Sequence, residues 1–272
     1  MSQNHFVNRE ISWLDFNARV LQEAQDENVP LIERLRFIGI FSNNLDEFYK
    51  VRYATVKRIA RLEEAKNKVF GDRPAEMLLK EITSKTIALQ KESLETLNNL
   101  HAALEQENIF ILNKDQINEE QQRFINTYFS QEVGPSLVTL MLNNIQSISR
   151  IKDSNAFLAI RMALDAKKHP FLDPIQFALI EIPSSLKRFV VLPSVDGKTQ
   201  LILLDDRIRT QLSTIFDVFQ HNSIEAHMVK FSRDAELDFD DDLSKSYIEK
   251  VAESVKDRSY GEAVRFVYDQ EI

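Results

Sequence analysis

The sequence contains no cysteine, which excludes disulfides and thiolate metal sites and fits a reducing compartment. Glycine is scarce, 5 in 272 residues, so there is little material for glycine-rich phosphate loops and much room for helix. No run approaches the roughly 18 apolar residues that would cross a bilayer. The longest are a handful of residues, such as Phe37 to Phe41. The opening MSQNHFVNRE has neither a basic leader nor an apolar core, and no secretory signal is expected there. Also missing are the GxxxxGKS/T and GxGxxG phosphate loops, the HExxH zinc helix and the GxSxG elbow. His5, His101, His169, His221 and His227 show no ligand spacing, so each reads as a surface or core histidine and no metal site is expected. Taken alone, the chain shows no catalytic constellation.

What is present describes an ordinary globular chain of one large or two modest domains, 43% hydrophobic and 28% charged. A net charge of −8 argues against general nucleic-acid binding. The charge is uneven. Residues 33–68 hold nine Lys/Arg against five Asp/Glu, whereas residues 233–257 hold nine Asp/Glu against four Lys/Arg. A basic segment in an acidic chain suits a phosphate-bearing ligand; the plainer reading is a solvated helix face.

Periodicity predicts a helical first part. Ser12 with Asp15 reads as the start of a helix running to about Glu27, closed by Asn28-Val29-Pro30. Leu31 to about Phe41 forms a second helix, and Leu45 to about Lys66 a third. Gly71-Asp72-Arg73-Pro74 is a turn, and Ala75 to Gln106 a long amphipathic helix. These make an antiparallel bundle over residues 1–108. Beyond a helix at Glu119 to Phe129, apolar residues fall in short runs: Leu137 to Leu142, Phe157 to Leu164, Phe177 to Ile182, Ala226 to Ser232 and Ala263 to Tyr268. Arg188 to Val195 and Thr199 to Leu204 read as a hairpin around Asp196-Gly197, with helices near Asp206 to Val218 and Leu243 to Lys256. Residues 109–272 are therefore expected to form an α+β head with a mainly antiparallel sheet. The last strand pattern ends four residues before Ile272, so the natural chain is expected to continue.

Two segments invite a chemical reading. Asp238-Phe239-Asp240-Asp241-Asp242 with Glu249 has some calcium-loop spacing, but Leu243 stands where that loop needs glycine, and an acidic helix cap is the better reading. Ser42-Asn43-Asn44 is more interesting. Asn43 or Asn44 could cap a helix whose first turn carries Asp46 and Glu47. That accounts for one asparagine, not two side by side in an apolar stretch. A carboxamide also offers the donor and acceptor that an adenine edge requires, with Leu45 and Phe48 as apolar flanks. The residues alone leave both readings open.

The run Asn8-Arg9-Glu10-Ile11-Ser12-Trp13-Leu14-Asp15-Phe16-Asn17-Ala18-Arg19-Val20-Leu21 closely resembles the opening of the long-form polyphosphate kinases. So do Leu31-Ile32-Glu33-Arg34-Leu35-Arg36-Phe37 and Ser42 through Arg52, with weaker echoes to Tyr268. The resemblance implies an enzyme that moves the terminal phosphate of ATP reversibly onto polyphosphate through a phosphohistidine. It implies a helical domain on the adenine side of the ATP pocket, with Asn44 as the matching contact, and a head domain active in subunit association. It places the phosphohistidine, the phosphate-gripping arginines and the Mg²⁺ site in carboxy-terminal domains absent from this chain, so this chain alone is expected to be inactive. The implied partners are ATP, ADP, polyphosphate and further copies, as a homodimer or homotetramer. The implied setting is the cytoplasm, with membrane association through the full-length enzyme left open. Lys50, Arg52, Lys57, Arg58 and Arg61 are then candidates to border a polyanion path, against the alternative of an exposed helix face. The rival reading of the whole is an assembly module without nucleotide contact.

Overall fold

The computed structural model describes residues 7–61, 69–70, 73–143, 151, 155–194, 197–235 and 261–269. The expected turn at Gly71-Asp72, the acidic turn at Asp238–Asp242, the helix at Leu243–Lys256 and Asp196 of the hairpin lie outside these residues.

Helix α1 spans Arg9–Gln25 and is capped by Asn8, whose side chain accepts from the backbone N–H groups of Glu10 and Ile11. The start at Ser12 is thus corrected by one turn: the Asn8 carboxamide oxygen reaches two orphan donors. Helix α2 runs without interruption over Leu31–Phe48. A π segment, Tyr49–Tyr53, joins it to α3, Ala54–Arg61. The expected break at Ser42-Asn43-Asn44 does not occur. No proline interrupts the stretch, and the Asn44 side chain bonds sideways to α1 instead of to its own backbone. Strands β1 (Val69–Phe70) and β2 (Arg73–Pro74) pair antiparallel ahead of α4, Ala75–Gln106, which has the expected bounds.

Asn108, at φ 59°, ends the helical run, and β3 (Ile109–Leu112) follows, a short apolar strand not foreseen from the pattern. Helix α5 (Glu119–Tyr128) opens with a reciprocal capping box between Asn118 and Gln121. Then come β4 (Val138–Met141), β5 (Ala156–Leu164), β6 (Ile175–Glu181), β7 (Phe189–Val191) and β8 (Thr199–Leu203). The helix expected at Asp206–Val218 is two short pieces, α6 (Leu204–Arg209) and α7 (Leu212–Ile215), because Gln211 leaves the helical region at φ −113°, ψ 8°. Strands β9 (His221–Arg233) and β10 (Ala263–Tyr268) complete the described chain.

Five strands form one sheet in the order β10-β9-β5-β6-β4, and three form another, β3-β8-β7. The pairs β4–β6, β5–β6, β5–β9 and β7–β8 are antiparallel, whereas β3–β8 is parallel. The hairpin around Gly197 is present, pairing Val190 with Ile202, and Gly197 adopts φ 72°. The class is α+β, as the alternation of periods predicts.

The chain forms two compact units, Met1–Leu104 with Ser232–Arg265, and Glu105–Phe231 with Phe266–Ile272. Each has its own core. In the first, Leu14, Leu21, Leu45, Phe48, Leu78 and Ile82 are at most 1% exposed. In the second, Leu158, Ile160, Met162, Ala178 and Ile180 line one sheet face under Leu204, Ile208 and Phe216. Phe157, Leu179, Val229 and Phe231 gather into a smaller separate cluster.

Candidate nucleotide site

The site begins with the apolar face of α2. Leu45 and Phe48 point into the core of the helical unit, and Phe48 stacks on Trp13 of α1 at 4.9 Å between centroids. Their surface is committed to that packing, so they hold the helix in place and offer no face to an adenine ring; the expectation that they flank one is corrected on that ground. Asn43 is exposed, and Asn44 is half-buried.

Asn44 donates its Nδ2 hydrogen to Oδ1 of Asn17 over 3.0 Å. Asn17 is fully buried on α1 and donates its own Nδ2 to the carbonyl of Phe41 over 3.1 Å. The Asn44 carboxamide oxygen accepts no hydrogen bond among the described residues. A turn of α2 therefore presents one amide acceptor, held by a two-asparagine ladder running back into the core.

Asp46, expected in a first helical turn, sits inside α2 and forms a close ion pair with Arg265 of β10. The side chains are each 10% exposed, and the guanidinium lies 5.5 Å from the Tyr49 ring centroid. Burial pushes the Tyr49 phenol above its ordinary range.

The cationic run is also engaged. Arg52 faces Glu10 at 3.7 Å, Arg58 faces Asp234 at 3.1 Å, and Lys57 faces Glu262 at 3.5 Å. Arg61 grips Glu262 with both terminal nitrogens. That bidentate contact is the largest influence holding the Glu262 carboxyl below its usual range. The carbonyl of Lys50 accepts from the Ala235 N–H over 3.0 Å. In place of an open cationic groove, Arg52, Lys57, Arg58 and Arg61 meet carboxylates, two of which (Asp234 and Glu262) come from the returning carboxy-terminal segment.

The head unit has a groove of about 520 Å³ lined by Lys114, Arg209, Thr210, Ser213, Glu225 and His227. Its arginine already pairs with Asp205, Asp206 and Asp269, so it is no ready grip for phosphate. Among the described residues no group of three or more His, Asp or Glu side chains could hold a metal ion, and no helix is long and apolar enough to cross a membrane.

The model of the polyphosphate kinase N-terminal domain matches residues 6–112, and that of the polyphosphate kinase middle domain matches residues 120–272. The chain belongs to the polyphosphate kinase family. Among curated polyphosphate kinases, that of Vibrio parahaemolyticus is 38% identical over 98% of this chain and 38% of its own length. That of Escherichia coli K12 is 36% identical over the same shares. The crystal structure of polyphosphate kinase from Porphyromonas gingivalis superposes with a TM-score of 0.76 at 25% identity, over 100% of this chain and 36% of that one. The chain thus spans a little over a third of the length of these relatives.

Sequence reasoning missed Asn17, Arg265, Asp234 and Glu262. Asn17 had a visible signal, since it lies three residues after Leu14 and four before Leu21 on the apolar stripe of α1. A polar side chain in such a stripe needs an internal partner. The other three are joined to α2 and α3 only by the fold.

Proposed function

We propose that this chain supplies the amino-terminal helical domain (residues 1–108) and the head domain (residues 109–272) of a polyphosphate kinase that transfers the terminal phosphate of ATP reversibly to polyphosphate. In that enzyme the helical domain meets the adenine of ATP through Asn44, and the head takes part in homo-oligomer formation. The phosphohistidine, the phosphate-gripping arginines and the Mg²⁺ ligands lie in further domains, and this chain alone carries no phosphoryl transfer. The enzyme works in the cytoplasm.

One observation carries the adenine reading: a half-buried asparagine, braced from behind, keeps an open amide acceptor in the middle of an unbroken helix. The main structural competitor, a helix cap at Asn43 or Asn44, requires a helix start that α2 does not have. Phosphoryl transfer rests on positioning and on neutralising phosphate charge, and a base contact remote from the phosphorus contributes to the first. Support for the basic run as a polyanion path is weaker, since its side chains are drawn into ion pairs.

In the full-length enzyme Asn44→Ala should raise the KM for ATP about tenfold, the worth of one good polar contact, with little change in kcat. Because it also orphans the buried Asn17 oxygen, a lower melting temperature accompanies the change. A lower melting temperature with an unchanged KM overturns the assignment and leaves Asn44 a structural residue.

A further inference from the structure

The two-asparagine ladder fixes which end of Asn44 faces outward, and this bears on which base it accepts. The Phe41 carbonyl can only accept, so Asn17 must turn its Nδ2 toward it, as the 3.1 Å contact shows. That leaves Asn17 with Oδ1 toward Asn44. Only the NH₂ end of Asn44 can satisfy this oxygen, at 3.0 Å, and its own oxygen is left facing away. The orientation follows from a backbone group whose role cannot be exchanged, not from a free choice between amide flips. Because Asn17 is fully exposed to protein and not to water, no solvent molecule can take either role in its place.

We infer that Asn17 is a positioning residue that makes the site selective for a 6-amino over a 6-oxo purine, resting on the reading that Asn44 meets the base. A 6-amino group donates and can pair with the outward Asn44 oxygen. A 6-oxo group only accepts, and would set two acceptors against each other. A site built to receive a donor rejects the analogue lacking it because its own polar group is then left unpaired.

The test compares ATP with ITP, its 6-oxo counterpart, as phosphate donors for the full-length enzyme. The wild-type enzyme should favour ATP in kcat/KM, and Asn17→Ala, which frees the Asn44 amide to flip, should lower that ratio about tenfold, the change carried by KM. Asn17→Asp should restore the ratio in its protonated form, whose O–H donates to the Phe41 carbonyl while the other oxygen accepts from the Asn44 NH₂ group. An unchanged ratio in Asn17→Ala, with only a lower melting temperature, overturns the inference and makes Asn17 a core residue. If Asn17→Ala does not fold, Asn44→Ala decides. A fall in the ATP/ITP ratio supports the inference. An equal rise in KM for ATP and ITP keeps the base contact but overturns the selectivity, and no change in either overturns the base contact itself.

Discussion

Each of the two compact units shields an arginine, and they treat it in opposite ways. In the helical unit Arg265 meets the carboxylate of Asp46 and lies near the Tyr49 ring. In the head unit Arg207 is fully buried, and among the described residues none of its guanidinium nitrogens has a hydrogen-bond partner. It rests on the face of Tyr128 at 3.6 Å from the centroid, with Phe124 at 5.9 Å. Burial lowers its pKa to about 10, so it remains a cation at neutral pH. The first arrangement is an electrostatic lock whose halves depend on each other. The second is a charge tolerated for its stem and for the ring beneath it.

Removing half of the lock should have the largest effect. Asp46→Ala leaves the largely shielded Arg265 side chain without this counter-charge and should cost about 3 kcal/mol in denaturant unfolding of the helical unit. A loss below about 1 kcal/mol would show that the pair is open to water and would erase the contrast. Arg207→Met should do the reverse, leaving stability unchanged or raising it by about 1–3 kcal/mol, since an apolar side chain of similar length removes a desolvated charge. The pH sense follows from a depressed folded pKa. The penalty is complete below about 10 and is relieved as pH rises above it toward the ordinary, higher arginine value. The gain from Arg207→Met should therefore be undiminished at pH 7. A loss above about 2 kcal/mol would mean that the Tyr128 contact outweighs desolvation.

The smallest effect belongs to the exposed pairs. Glu262→Gln removes the partner of Arg61 and Lys57 and should cost less than about 1 kcal/mol, given that the Glu262 side chain is 51% exposed. Because the folded Glu262 pKa is depressed, this contribution is present above the ordinary value of 4.5 and fades as pH falls through the lower folded one. Thermal scans of wild type and variant should converge on acidification, and 1 M salt should narrow the difference at neutral pH.

Most strands and the long helix α4 could be read from the sequence, because alternation and helical spacing record which face meets a core. The continuity of α2 could not. Ser42, Asn43 and Asn44 are weak helix formers that locally favour a cap, and the bond that keeps Asn44 inside the helix comes from Asn17, 27 residues earlier. The split between α6 and α7 was hidden too, since the apolar residues Ile208, Leu212 and Phe216 keep helical spacing across the break at Gln211. Asn44 was legible as a site because it stands in a long run that resembles a family. Its brace was not, because spacing shows that Asn17 is buried but not what it touches.

The return of residues Ser232–Arg265 to the helical unit has a consequence for how the protein is made. Helical bundles usually finish folding from local contacts, yet Arg265 and Asp46 lie 219 residues apart. As the chain leaves the ribosome, the amino-terminal helices can collapse early, but the Asp46–Arg265 pair must wait for nearly the whole of this sequence to be synthesised. Translation pauses or truncations before residue 265 should therefore expose the helical unit to proteases, although α1 to α4 are already present.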